Sequence, residues 1–194
     1  MRHESACERF VKGWRGGGRL VNTREPRLDA ERELPESSGM TAVGKPSGLW
    51  YGCGTAWLEW CLREEFGVNR YVLEIDVDES RILRLRSPAQ IERFVRFYRD
   101  DSRALMVHGV GDIIRAVDWG RVRERWAGVE IDPYCPALSW TAVGHDFRSP
   151  IWYSGWDCSS GCLWDLSAVT GWRVAADFGR SKIIIGQRLC KRVG

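Results

Sequence analysis

Residues 48–61, with the sequence GLWYGCGTAWLEWC, combine small residues with aromatic ones. We predict a short apolar strand that leads directly into an aromatic-rich helix. Gly48 and the two glycines that follow it let another group approach the backbone closely, because no Cβ intervenes. Trp50, Tyr51 and Trp60 offer ring faces on which a flat ligand can stack. The same residues would also suit a strand-to-helix turn whose tryptophans belong to the core, and both interpretations stay open.

This segment resembles part of the ADP-ribosyltransferases, a family in which a Gly-Ile/Phe-Tyr-Phe/Thr strand leads into a helix of the Ser/Gln-Ala-x-x-Tyr/Trp type. The corresponding pattern here is Gly-Leu-Trp-Tyr, a few small residues, and then Thr-Ala-x-x-x-Trp-Cys. A weaker likeness extends through residues 71–76, 81–85 and 91–95 to 128–134. The resemblance implies an α+β fold, with a single domain of two small packed antiparallel or mixed sheets and flanking helices.

The resemblance further implies that NAD is the substrate and that the strand and helix of residues 48–61 flank its nicotinamide. The family's first strand usually presents an arginine or histidine that binds the cofactor's phosphate or ribose, and the resemblance implies Arg24, with Thr23 beside it, for this role. Arginine can donate two parallel hydrogen bonds to phosphate oxygens. The family's His-Gly-Thr motif is absent from this sequence, and a surface arginine in a polar loop is the alternative. The cofactor-binding residues implied are Arg24, Thr23, Gly48, Trp50, Tyr51 and Trp60.

Glu130 is the residue that the resemblance implies as the catalytic carboxylate. ADP-ribosyltransferases break the bond between nicotinamide and ribose through a transition state that resembles an oxocarbenium ion, which a nearby negative charge stabilises. In the family this charge belongs to a glutamate on a late strand, and Glu130 in Gly-Val-Glu-Ile (128–131) matches that position. A strand glutamate that faces water between buried Val129 and Ile131 would show the same alternation, so that alternative stays open.

Cysteine and histidine residues suggest two further kinds of chemistry. Cys158 and Cys162 have a spacing seen in structural zinc sites, but the sequence lacks a second ligand pair with finger-like spacing, so packed or redox-sensitive thiols are favoured. Cys53, at a predicted helix start, could act as a nucleophile if His108 or His145 lay beside it. We therefore predict no metal site, and a Cys-His hydrolase would require that proximity.

Composition limits the class of protein. The chain has 194 residues, a formal net charge of +3 and 11 tryptophans. This length suits one domain whose core needs no disulfides, and seven cysteines at irregular spacing favour reduced thiols. The apolar runs fall short of the roughly 20 residues of a membrane span, and the first residues lack a signal-peptide core. We therefore predict a cytoplasmic protein without membrane contact.

Hydrophobic periodicity and turn residues predict the elements that position these side chains. Residues 1–45 are predicted as a polar arm with one strand (19–24), and residues 46–194 as one α+β domain that this strand joins. Ser87 followed by proline and Asp118 are predicted to start helices. The other predictions are strands at 71–77, 82–85, 129–131 and 182–186, a helix at 55–66 with Thr55 as its N-cap, and helix over part of 113–126.

The resemblance implies an NAD-dependent ADP-ribosyltransferase that modifies a macromolecular acceptor, either protein or nucleic acid. The alternative is a non-enzymatic, aromatic-rich binding module whose tryptophans contact a protein or nucleic-acid partner. In that case Arg121, Arg123 and Arg125 would be the basic residues that contact nucleic acid.

Overall fold

A computed structural model describes residues 4–28, 44–106, 113–138, 151–179, 184–185 and 188–189 of the chain. Its α-helices are α1 (Ala6–Gly13), α2 (Ala56–Arg63), α3 (Pro88–Phe97) and α4 (Trp119–Arg123). Its strands are β1 (Arg19–Thr23), β2 (Leu49–Cys53), β3 (Tyr71–Val77), β4 (Ile82–Leu85), β5 (Arg99–Met106), β6 (Ile113–Val117), β7 (Gly128–Ile131), β8 (Ser160–Leu163), β9 (Val169–Asp177), β10 (Ile184–Ile185) and β11 (Arg188–Leu189). None of the helices in these ranges has the length and apolar character that crossing a membrane requires.

Seven of the strands form one mixed sheet in the order β4-β7-β8-β2-β1-β3-β9. β4 and β7 are parallel, and the other neighbouring pairs are antiparallel. The predicted mixture of helices and strands is confirmed, but the two small packed sheets are not. The reason is β8, which pairs with β7 along one edge and with β2 along the other and so joins the strands into a single sheet. The pairs β5–β6 and β10–β11 form separate ribbons.

The helix starts follow local capping chemistry. The Ser87 hydroxyl accepts a hydrogen bond from the backbone N–H three residues on, at 3.3 Å, and the Asp118 carboxylate accepts the equivalent bond at 3.1 Å. Both predicted starts are therefore confirmed. Thr55 also precedes its helix, but its hydroxyl donates to the Glu59 carboxylate at 2.5 Å rather than accepting from a helix amide. The predicted strands at 71–77 and 82–85 coincide with β3 and β4.

Two segments differ from their predicted structure. Helix α1 lies in the region predicted as a polar arm, where Ser5 and Glu8 form a reciprocal capping box. Cys7 and Phe10 of this helix pack into an apolar cluster, which gives it a tertiary anchor. Residues 113–117, within the range predicted to be partly helical, instead pair with β5 as strand β6, and the helix begins only after Asp118.

The two faces of the sheet are covered differently, since successive strand residues point to opposite faces. On one face, which we call the helix-covered face, Val129 and Cys162 pack with α3 and α4, whereas Leu20 and Val72 pack with α1 and α2. These are two separate apolar clusters. The opposite face carries a third cluster, which includes Tyr51. A cavity on the helix-covered face is lined by residues of both clusters of that face.

Candidate functional site

A cavity of about 380 Å³ lies on the helix-covered face, between its two apolar clusters. Leu20 and Trp50 contribute to its lining from β1 and β2, and Trp57 contributes from α2. Lys45 and Asp157 are the charged residues among the described residues that line it. This volume falls in the range of about 300–1,000 Å³ that is usual for small-molecule sites. A mostly apolar cavity with a few polar groups is the common form of a ligand site.

Gly52 sets the distance between the strand and the helix that flank the cavity. A Cβ at this position would lie 2.8 Å from the Cβ of Trp57, closer than side-chain carbons pack. Glycine therefore allows α2 to rest directly on β2, and it places the Trp57 side chain at the cavity wall. The sequence predicts that a glycine in this segment lets another group approach the backbone closely. At Gly52 the approaching group is Trp57 of α2.

A lysine ammonium lies between an aromatic ring and a carboxylate in this cavity. Lys45 Nζ is 5.1 Å from the centroid of the Trp50 ring and 3.8 Å from Asp157 Oδ2. Partial burial raises the pKa of Asp157, the positive charge of Lys45 opposes that shift, and the negative charge of Glu64 adds to it. The Asp157 side chain is still 39% exposed, so a ligand can reach it. Ring and carboxylate together form a binding arrangement for a cation.

The backbone around Lys45 is fixed by contacts on both sides. The carbonyl of Gly44 accepts a hydrogen bond from Trp119 Nε1 at 2.7 Å, and the carbonyl of Ser47 accepts one from Arg123 at 2.9 Å. The aliphatic stem of Lys45 lies over Gly155, where any Cβ would collide with it. These contacts hold the start of the lysine side chain at the edge of the cavity.

The predicted aromatic and glycine residues of 48–61 have different positions. Trp50 lines the cavity and packs edge-on against Trp156, with ring centroids 4.8 Å apart. Trp60 stacks on Trp57 at 4.9 Å, so it supports the cavity wall from behind. A Cβ on Gly48 would collide with the carbonyl oxygen of Leu163, so this glycine permits close packing of the chain against β8.

Thr23 and Arg24 lie at the end of β1, and the structure does not bring them to the cavity lining. Arg24 is exposed, and the Thr23 hydroxyl accepts a hydrogen bond from the backbone N–H of Glu25 at 3.4 Å. Asn22 lines the cavity instead. Its side chain donates to the carbonyls of Asn69 and Tyr71 and accepts from the Asn69 N–H at 2.7 Å.

Glu130 is buried in a network of charged groups on the opposite face of the sheet. It is 7% exposed, and its carboxylate accepts a hydrogen bond from Arg19 Nε at 2.6 Å and from the Tyr51 hydroxyl at 3.1 Å. Arg84 Nε lies 3.2 Å from the same carboxylate, and both arginines also pair with Glu79. Because Trp50 and Tyr51 are consecutive on β2, their side chains point to opposite faces. The predicted nicotinamide pocket is thereby divided: both residues contribute to the cavity lining, but the Tyr51 side chain points to Glu130.

Gly161 allows Tyr51 to reach Glu130 across β8. The three residues are register partners on neighbouring strands, and a Cβ on Gly161 would collide with the Tyr51 ring. We expect Gly161→Ala to lower the free energy of unfolding by about 1–3 kcal/mol, the usual cost of overpacking, measured by urea denaturation. The control is Gly17→Ala, where an added Cβ meets no atom within 4 Å. Equal midpoints for both variants would contradict the close packing of Tyr51 on Gly161.

The three arginines of the binding-module hypothesis contact aromatic rings. Arg123 donates to the Ser47 carbonyl at 2.9 Å, and its guanidinium lies 5.3 Å from the centroid of Trp164. Arg121 and Arg125 also lie over aromatic rings, with guanidinium-to-centroid distances of 5.7 and 5.5 Å. Each therefore has a structural contact within the chain.

The cysteines of the described residues lie mostly in the core. Burial raises the pKa of the Cys158 thiol to about 11, and Cys162 is fully buried and donates to a backbone carbonyl. Burial and, to a smaller extent, the charge of Glu130 raise the pKa of the Cys53 thiol, which opposes nucleophilic use. Within the described ranges no three potential ligands cluster as a metal site, and His108 and His145 lie outside those ranges.

Neither Asp157 nor Lys45 is predicted from the sequence as a site residue. Asp157 precedes β8 in a stretch rich in tryptophan and cysteine. The sequence feature that could have indicated a site residue there is the carboxylate itself, which lies between Trp156 and Cys158. Lys45 belongs to no sequence motif that would indicate a site residue. The two are 112 positions apart in the sequence, and only the fold brings them together.

Comparisons with protein-family models, curated proteins and solved structures gave no match to this chain. The resemblance to ADP-ribosyltransferases stays a prediction from the sequence. A function therefore has to be inferred from the geometry and charge of the cavity.

Proposed function

We propose that the chain binds NAD in this cavity and transfers its ADP-ribose to a macromolecular acceptor, protein or nucleic acid. The supporting observation is the Lys45 ammonium held between the Trp50 ring and the Asp157 carboxylate. A site that places a cation against a ring and a carboxylate also suits the flat, positively charged nicotinamide ring of NAD. The sequence resemblance, which implies nicotinamide beside Trp50, favours the same ligand.

Asp157 is the catalytic carboxylate in this proposal. The bond between ribose C1′ and the nicotinamide nitrogen breaks, and neutral nicotinamide leaves with the bonding electron pair. Positive charge then develops on the ribose, and the Asp157 anion stabilises it. A nucleophilic group of the acceptor forms the new bond to C1′ and loses its proton to Asp157 or to water.

Glu130 is less suited to that role than the sequence resemblance implies. Its negative charge is already shared by Arg19 and Arg84, and its carboxylate lies on the sheet face that Tyr51 occupies, away from the Trp50 side chain. A charge neutralised by two neighbouring cations stabilises a developing positive charge less well than the accessible Asp157. We therefore assign Glu130 a structural part in the proposed enzyme.

Calorimetric titration with NAD tests the ligand. We expect saturable binding to the wild type, and a dissociation constant raised about tenfold in Trp50→Leu, because a desolvated cation–π contact contributes roughly 1–2 kcal/mol. The control is Trp172→Leu, which removes an exposed indole on β9, outside the cavity lining. Circular dichroism verifies that both variants fold. Absence of NAD binding to the wild type at millimolar concentration would contradict the proposal and leave the aromatic binding module.

A further inference from the structure

We infer that Lys45 makes the cavity selective for ligands that carry a phosphate beside their cationic ring, an inference that rests on the proposed function. Such a ligand is a zwitterion, and NAD and nicotinamide mononucleotide both belong to this class. Nicotinamide riboside has the same cationic ring but no phosphate. The selectivity follows from the position of the Lys45 ammonium and from the limited movement that its side chain can make.

Lys45 occupies the place that a cationic ring would take. Its ammonium is 5.1 Å from the centroid of Trp50 and 3.8 Å from Asp157 Oδ2. Two positive charges at such distances repel each other, and the repulsion is stronger in a partly buried site than in water. A pyridinium ring that stacks on Trp50 therefore has to displace the ammonium.

The displaced ammonium stays close to the cavity. Hydrogen bonds to the carbonyls of Gly44 and Ser47 hold the backbone on either side of Lys45, so only the side chain can move. Asp157 is the one carboxylate among the described residues of the cavity lining. The cationic ring of the ligand replaces the Lys45 ammonium beside this carboxylate. A phosphate of the ligand can then pair with Lys45 and replace the interaction that the lysine has lost.

A ligand without an anion lacks this compensation. Nicotinamide riboside would displace the same ammonium and leave it without the carboxylate it contacts now. Its binding is weakened by the cost of separating Lys45 from Asp157, whereas a phosphorylated ligand regains a charge-assisted hydrogen bond. Removal of the ammonium should therefore help the riboside and harm the mononucleotide.

Calorimetric dissociation constants for nicotinamide mononucleotide and nicotinamide riboside test the inference, with NAD as a reference ligand. We expect the wild type to bind the mononucleotide at least about tenfold more tightly, the value of one charge-assisted hydrogen bond. Lys45→Met keeps an unbranched stem over Gly155, and in this variant the preference should fall to about threefold or less, with the riboside bound more tightly than by the wild type. The control is Lys12→Met, which removes an exposed lysine of α1 and should keep the wild-type preference.

An unchanged preference in Lys45→Met, or equal affinity for both ligands in the wild type, would overturn the inference and leave the proposed function intact. If NAD, the mononucleotide and the riboside all fail to bind the folded wild type, both the proposed function and the inference are wrong.

Discussion

Replacement of Asp157 by asparagine is expected to slow nicotinamide release from NAD by about 10²–10³-fold, the usual loss when one group that stabilises transition-state charge is removed. Asparagine has nearly the same shape but no negative charge, so the ribose loses its electrostatic partner while the cavity keeps its form. NAD affinity should change less than the rate, because the Trp50 ring remains although the cationic ring loses the carboxylate. The measurement follows nicotinamide release and label transfer from labelled NAD together.

The pH profile gives an independent signature of the same carboxylate. Burial raises the pKa of Asp157 above its ordinary value of 3.8, and the proposed mechanism needs the ionised form. We therefore expect kcat/KM to be full above that raised pKa and to fall as the pH drops through it. The acid limb should disappear from the residual activity of Asp157→Asn.

The matched control for this prediction is Asp76→Asn. Asp76 is an exposed aspartate on β3 and is not part of the cavity lining. The control variant should release nicotinamide at the wild-type rate. Wild-type activity in Asp157→Asn would remove Asp157 from the catalytic site.

Replacement of Glu130 by glutamine is expected to lower the free energy of unfolding by about 3 kcal/mol, because removal of the buried member of an ion-pair network leaves the charges of its partners poorly compensated. Among the carboxylates of the described residues that pair with Arg19 and Arg84, Glu79 would then remain, and it is half exposed. Urea denaturation measures the effect as a lower midpoint with an unchanged slope.

Glu92→Gln is the control for this change. Glu92 forms an exposed pair with Arg96 on α3, and loss of such a pair usually alters stability by less than about 1 kcal/mol. The comparison also separates the two candidate carboxylates. A Glu130→Gln variant that is as stable as the wild type but no longer releases nicotinamide would support the catalytic role that the sequence resemblance implies and would contradict the assignment to Asp157.

Local sequence was sufficient for the elements whose start or period depends on neighbouring residues. Ser87 and Asp118 begin helices because a side-chain oxygen can accept a backbone N–H three positions away, whatever the rest of the chain does. Residues 71–77 alternate between buried and more exposed positions along much of their length, and this alternation by itself predicts strand β3. The capping box of α1 is equally local, but its Ser-x-x-Glu pattern in residues 5–8 was not used, and the prediction of a polar arm there was wrong.

The sequence also predicts that consecutive side chains of β2 point to opposite faces of the sheet. Trp50 and Tyr51 are consecutive, so one strand cannot direct both side chains into one pocket. The packing of α1 to α4 against the sheet decides whether the side chain of Trp50 or that of Tyr51 points into a cavity. That packing joins residues far apart in the chain. The predicted aromatic segment therefore contributes Trp50 to the cavity and Tyr51 to the network around Glu130.

The sequence by itself determined the caps at Ser87 and Asp118, the strands with clear alternation and the aromatic segment that flanks the cavity. Only the tertiary structure decided which charges meet. Insertion of β8 between β7 and β2 aligns Glu130 with Gly161 and Tyr51, and the approach of residue 45 to residue 157 places a cation beside Trp50. Such pairings depend on strand order and on contacts across more than a hundred residues, whereas capping and alternation depend on bonds and side-chain directions within a few residues of each other.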